Sequence, residues 1–486
     1  MIGFQLVSLL IIPISWLGFQ FNANSVAANS IEEGFCCSAT IQGQQIEYYL
    51  PMVQGNSSSL SRSAHRVNVP YFADQIQFDE TAIFWFGEVN PTDNYSDVRV
   101  GYTANELFIH VAIFDRLLWY DEITPVESLE KWDAVSLYLD LNGNGGSTPS
   151  ANTYRFVGQL SRWVERSEYQ AAYQGNGAGW DKVDLPYTSE AGYRGNPNDS
   201  SIDSGWRLTY QIPFSTFDLT DPPDKGEVWG LGVVVHDRDD VNGTPIENKT
   251  WPSGIDDTRS DTWGEMAFGV TEQMISETQS TGDIMIRHGL NGMVVEDGEV
   301  GGHTNCGKNF DRFSEWGDTN YASVDRVNIQ NQYDVADFPC FSKFYISFPI
   351  NGIPPGKKII SATLTMYQFG NAGGDEWGDA PASMIQVIMV EDDWLENSLT
   401  WNTAPQGIEN VSRSWVPWIA EYPGANGVPR TWDVTNAVSE SYSEGGPIRL
   451  AFYSADSARH SGKYFWSSDY EIEGSRPTLQ VTWVDK

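Results

Sequence analysis

Short runs of alternating apolar and polar residues recur along most of the chain. Residues 98–102 alternate, and after Thr103-Ala104-Asn105 a second run follows at 106–113, which predicts two strands joined by a tight turn. Val135, Leu137, Leu139 and Leu141 share one face of a further strand, and 208–214 and 230–235 add two more. The second half repeats the pattern at 344–348, 362–367, 385–390, 448–453 and 479–483. Few stretches sustain a 3.6-residue period, and Gly, Pro, Asn and Asp separate the runs. The pattern predicts an all-β protein made of two consecutive antiparallel β-sandwich (jelly-roll-like) domains at 71–270 and 283–486. Residues 29–70 read as a polar linker and 271–282 as a second linker.

The chain's 486 residues exceed one ordinary core, in keeping with two domains. The 65 acidic residues against 29 basic ones give a net charge of −36, spread along the chain rather than held in a tail. Such a surface repels nucleic acid and anionic membranes, which removes both as expected partners. The uncharged, apolar stretch 4–19 is shorter than a spanning helix needs. With the small residues Val26-Ala27-Ala28 behind it, it predicts an export signal over 1–28, although no basic residue precedes the apolar run. The expected location is therefore secreted or cell-surface, with no membrane span once the signal is removed. Four cysteines occur without a C-x-x-C, so a zinc ribbon is unsupported. In an oxidising compartment Cys306 and Cys340, both early in the second domain, are expected to pair.

Several residues bear on function. Asp237, Asp239, Asp240 and Asn242 crowd oxygen groups that repel one another without a cation. Asp140, Asn142 and Asn144 alternate in the same way, but Ala151 stands where an EF-hand has its Glu, and an Asn/Gly turn explains them equally well. Trp119 and Tyr120 lie in the loop between two strands. With Trp132 and Arg155 they would make a face for stacking and hydrogen-bonding a sugar, or else they fold onto their own core. Trp415, Trp418 and Tyr422 form a second aromatic segment. No G-x-S-x-G, H-E-x-x-H or phosphate-binding glycine loop is present.

The ordered motifs of 71–270 resemble a family 9 carbohydrate-binding module, a β-sandwich related to DOMON domains. They are Val98-Arg99-Val100-Gly101-Tyr102, Trp132-Asp133-Ala134-Val135, Tyr154-Arg155-Phe156, Gly205-Trp206, Gly230 through Asp237, and Trp263-Gly264-Glu265-Met266. The resemblance implies structural calcium and a sugar held between two Trp side chains. Here Glu130 stands at the first Trp position, Ser136 replaces a family Glu, and the second Trp has no clear counterpart, whereas Arg155 matches an Arg that hydrogen-bonds the sugar. In 283–486, Asp318-Thr319-Asn320-Tyr321, Trp432-Asp433-Val434-Thr435 and above all Trp394-Leu395-Glu396-Asn397-Ser398-Leu399-Thr400-Trp401-Asn402-Thr403-Ala404-Pro405 resemble the DNRLRE, or disaggregatase-related, domain of extracellular proteins. Together they imply an exported, non-catalytic protein that binds extracellular polysaccharide, and the net charge of −36 favours a neutral or weakly charged type over the acidic glycans bound by some relatives of the second domain. The alternatives are a structural or adhesive surface protein without sugar affinity and a polysaccharide-degrading enzyme.

Overall fold

The computed structural model describes residues 37–41, 44–48, 65–122, 128–143, 145–161, 166–270, 279–373, 378–391 and 393–486. The proposed signal segment 1–28 and Asn144 lie outside the described residues. The chain forms two compact units, 1–63 and 64–486. In the first, Cys37–Ile41 pairs antiparallel with Gln44–Tyr48. All else described here belongs to the second, where no described helix is long and apolar enough to cross a membrane.

Among its described residues that unit is all-β, with one α-helix, Thr435–Glu444. In the first sandwich a five-stranded sheet runs Thr188–Arg194, Gly205–Pro213, Glu106–Phe114, Asp93–Tyr102, Ala82–Asn90. Its partner sheet contains Gln170–Gly175, Thr153–Gln159, Ala134–Asp140, Val228–His236 and Gly264–Phe268. Val98, Val100, Ile109 and Val111 meet Val135, Leu137, Leu139 and Val233 between them, with Trp206 and Trp229 filling the ends. In the second sandwich the strands Ser383–Val390, Ile448–Ser454 and Ser342–Phe348 face Lys357–Asn371, Thr478–Asp485 and Lys463–Trp466. Phe344, Ile346, Val387 and Phe452 pack there on Leu364, Met366, Phe465 and Val481.

The two sandwiches are one body. The strand Arg66–Val69, inside the stretch expected as linker, pairs parallel with Gly264–Phe268 and meets Glu409 of the second sandwich at Arg66. The first sandwich therefore starts earlier than the expected boundary at 71. Asn68 and Asn410 exchange side-chain-to-backbone hydrogen bonds of 2.7 and 3.0 Å across this join. The outer face of the five-stranded sheet lies on the outer face of the second sandwich. Ile83, Trp85, Tyr95 and Phe114 pack on Tyr345, Ile388, Trp401 and Tyr453 in a third core. Four β-layers thus follow one another, with a core in each gap. Strands whose alternation promised one wet face, such as Asp93–Tyr102, are buried on both.

The seam contains charge. Asp97, wholly buried, accepts from the Tyr95 hydroxyl at 2.7 Å, the Tyr453 hydroxyl at 2.8 Å and Asn331 Nδ2 at 3.2 Å. Lys343 Nζ donates to the Tyr95 hydroxyl at 2.9 Å and sits 3.9 Å from the Trp401 ring centre and 4.4 Å from that of Trp85. Burial pushes the Lys343 ammonium well below the lysine range, and Asp97 opposes this. Ring faces favour an ammonium as well. Ala82–Asn90 is an edge strand, and side-chain amides of the second sandwich complete it. Asn402 accepts from Val89 N at 2.8 Å and donates to Val89 O at 3.1 Å, while Gln386 donates to Thr81 O at 2.7 Å. Cys306 and Cys340 form a disulfide, their Cα atoms 4.0 Å apart.

Candidate binding cleft

A cleft of about 1020 Å³ opens between the sandwiches. Tyr138, Arg155 and His236 contribute from neighbouring strands of the first, and Trp401, Asn402 and Gln406 from the loop of the second. Tyr138 and Arg155 are direct partners in register on Ala134–Asp140 and Thr153–Gln159, and Val234 pairs with Ser136. The period of two then sets Ser136, Tyr138, Arg155 and His236 on the sheet face turned away from the first core.

Glu130 enters from a short 3₁₀ turn at Leu129–Lys131 and forms an ion pair with Arg155. Its Oε1 also accepts from Ser136 Oγ at 2.8 Å, and Ser136 Oγ lies 3.0 Å from His236 Nε2. The network is satisfied when neutral His236 donates to Ser136 and Ser136 donates to Glu130. Burial pushes His236 down to about 4, which keeps it neutral despite Glu130. Burial raises Glu130, but Arg155, His236 and Ser136 outweigh it and hold the carboxyl below its ordinary value. The Arg155 guanidinium also lies over the Tyr173 ring at 4.7 Å and the Tyr138 ring at 5.8 Å. The floor is thus a prearranged polar group with donors and acceptors in fixed places.

Of the four residues expected to form a sugar face, the structure brings only Arg155 to this cleft. Tyr120 is a correction: it is 6% exposed and belongs to the first core. Asp133 accepts the Trp119 backbone N–H at 2.7 Å and Asn198 accepts that of Tyr120 at 2.9 Å, which ties the loop down. Trp119 is half-buried with its indole N–H enclosed, and Trp132 is half-buried against Gly243. His236 stands at a strand end beside Asp237, and the residues the sequence reading did not propose for the site are Glu130 and Ser136. Both stood out only as departures from the family pattern, although that mismatch was the available signal.

The acids also regroup. Asp237 and Asp239 join Asp115, with one carboxylate oxygen of each within 4.8 Å of the others. Burial, then Asp239 and Asp93, pushes Asp237 to about 8, and burial, then Asp237 and Asp133, raises Asp115 well above the carboxylate range; burial also pushes Asp239 to about 6, with Arg116 opposing and Asp240 and Asp93 adding. Asp237 Oδ1 is buried without a hydrogen-bond partner. Asp240 and Asn242 do not join them: Asp240 Oδ1 accepts from Asn242 N at 2.6 Å in an exposed turn, and Asn242 is exposed. Asp140 likewise accepts from Asn142 N at 3.1 Å, and Gly143 follows with φ +61°, a turn that needs no cation.

Residues 313–483 match the sequence model of carbohydrate-binding module family 96. No curated protein matches the chain. Among solved structures, a family 9 carbohydrate-binding module from Caldicellulosiruptor kristjanssonii in complex with cellotriose is similar at 15% identity and a TM-score of 0.31, over 44% of this chain and 99% of that one. The same organism's family 9 module in complex with glucose is similar at 14% identity and a TM-score of 0.31, over 43% and 98% of the two chains. The segment that matches family 96 includes Trp401, Asn402 and Gln406 of the cleft wall.

Proposed function

We propose that the protein is an exported, non-catalytic glycan-binding protein whose sugar site is the cleft between the sandwiches. The observation that carries this reading is the composite cleft itself. Its floor offers Arg155, which the motif resemblance would make a sugar-binding Arg, and its far wall comes from the segment matching a carbohydrate-binding family. Small-ligand sites are concave, with a few polar groups that fix orientation. Glu130 is held as an ion-paired carboxylate, a poor starting point for a general acid.

The residues that fit a structural calcium are Asp115, Asp237 and Asp239. Three converging carboxylates, one with an orphaned buried oxygen, supply the hard oxygen donors such an ion takes. Bound there, it would neutralise the group directly behind His236. The turns at Asp240 and Asp140 lack this convergence.

Binding of the full-length chain to a panel of insoluble polysaccharides tests the reading, beside a Ser253→Trp variant. Ser253 is exposed on the cleft loop, so a Trp there fills the mouth without touching a core. Wild-type retention and loss in the variant are expected. Equal retention moves the site elsewhere, and no retention on any glycan favours the adhesive alternative.

A further inference from the structure

We propose that the cleft selects glycans carrying free amino groups, that is, chains of 2-amino-2-deoxy sugars with unacylated nitrogen. This rests on the glycan-binding reading of the same cleft. Five carboxylate residues line it, Glu88, Glu130, Glu247, Asp256 and Asp257, against the two cations Arg155 and Lys249. Both cations are already engaged, Arg155 by Glu130 and Lys249 by Asp93 at 2.6 Å. Glu88, Glu247 and Asp257 form no ion pair among the described residues, which leaves the mouth of the cleft with uncompensated negative charge. Gln406 adds a buried amide oxygen without a donor. Acceptors therefore exceed donors, which disfavours a uronic acid and suits a ligand rich in N–H.

Asp257 sharpens the point. Burial raises its carboxyl, Asp256 and Glu130 add to the effect, and Arg155 opposes it. An exposed carboxylate flanked by like charges gains from an arriving cation. The rings at one end of the cleft, Trp85, Tyr95 and Trp401, already surround one alkylammonium, that of Lys343. A neutral sugar would meet the same hydroxyl-binding floor but leave the rim charges as they are. A protonated amino sugar meets both.

Calorimetric titration of the full-length protein at about pH 6, where ordinary carboxylates are ionised, tests this with three β-1,4-linked trimers of equal length: glucosamine, N-acetylglucosamine and glucose. Short probes limit attraction to the chain's overall charge. The glucosamine trimer is expected to bind at least about tenfold more tightly than either neutral trimer, with the margin shrinking as salt rises. The double variant Glu247→Gln, Asp257→Asn should bring the three within about twofold of one another. Glu421→Gln with Glu471→Gln, exposed and outside the cleft, should leave the preference unchanged. All four residues are exposed, so melting temperatures should match wild type. Neutral trimers binding as well as or better than glucosamine would overturn the amino-sugar proposal and leave the glycan reading standing. Loss of preference in the control pair would overturn it too, because the effect would be one of net charge. Failure of all three trimers to bind would overturn the glycan reading of the cleft along with it.

Discussion

The seam and the cleft share residues and differ in outcome. Trp85, Tyr95 and Trp401 belong to both. Behind them, Asp97 is sealed and accepts three hydrogen bonds, and Lys343 donates to Tyr95 inside a ring of aromatics. In front of them, Glu130 and Arg155 pair, but the rim acids face open space. Buried charge with its partners in place specifies how two surfaces meet, and removing one partner is costly. Charge that is fixed but incompletely answered is available for a ligand. The same aromatic wall therefore separates a sealed polar cluster from one that faces an open cleft.

The comparison can be broken from the sealed side. Asp97→Ala strips the acceptor from Tyr95, Tyr453 and Asn331 at once, and a loss of about 3–5 kcal/mol is expected in urea unfolding. Lys343→Ala should cost about 2–4 kcal/mol by leaving a cavity among the rings, whereas Lys343→Met, apolar and of similar length, should stay within about 1.5 kcal/mol of wild type. If both Lys343 variants unfold alike, the ammonium and not the packing holds the seam.

From the cleft side, excess chelator should lower the melting temperature and calcium restore it, by about 2.7 kcal/mol at a hundredfold excess over the dissociation constant. No shift would remove Asp115, Asp237 and Asp239 as a calcium site. A third group sharpens the contrast: Asp297 is as sealed as Asp97 but has no cation beside it. Burial pushes it to about 8, despite the Ser468 N–H at 2.6 Å. The folded state keeps a proton that the unfolded chain releases near pH 4. Its contribution is therefore fully present below about pH 4 and is lost at up to about 1.4 kcal/mol per pH unit as pH rises to about 8. Asp297→Asn should flatten that slope and raise stability at pH 8, as read from chemical unfolding across pH. Least of all, Ser253→Trp should change stability by under about 0.5 kcal/mol while abolishing glycan retention, since it touches only the mouth.

Much of the fold was legible in the sequence because the period of two names the core face of each strand. Phe344, Ile346 and Phe348 marked the inner face of Ser342–Phe348 correctly. The same pattern misreads the other face. Lys343 and Tyr345 look like solvent positions, yet the first sandwich covers them. Alternation reports which side of a strand is apolar and carries no information on what lies over the polar side. Trp401 and Asn402 were legible as a motif, but not as the piece that closes an edge strand 313 residues away in sequence. Arg155, which a resemblance marked, did reach the cleft lining. Tyr120 did not, since an aromatic in a loop looks the same whether Asp133 and Asn198 tie that loop down or leave it standing. Arg66–Val69 was lost to its polar surroundings, because four residues are too few to show a period.

The disulfide has a consequence for where the molecule can be made. The loop that Cys306 and Cys340 close carries Phe313, Trp316, Asn331 and Phe338, all of which face the first sandwich or its polar seam. Cross-linking a loop of this length contributes about 3–4 kcal/mol in the chain-entropy view. Thiol oxidation thus bears on a surface formed by both halves, and with it on the wall they share. A ribosome delivering this chain into a reducing compartment would release it with that loop unfastened, so the redox state of the surroundings bears on how the joint between the halves is assembled.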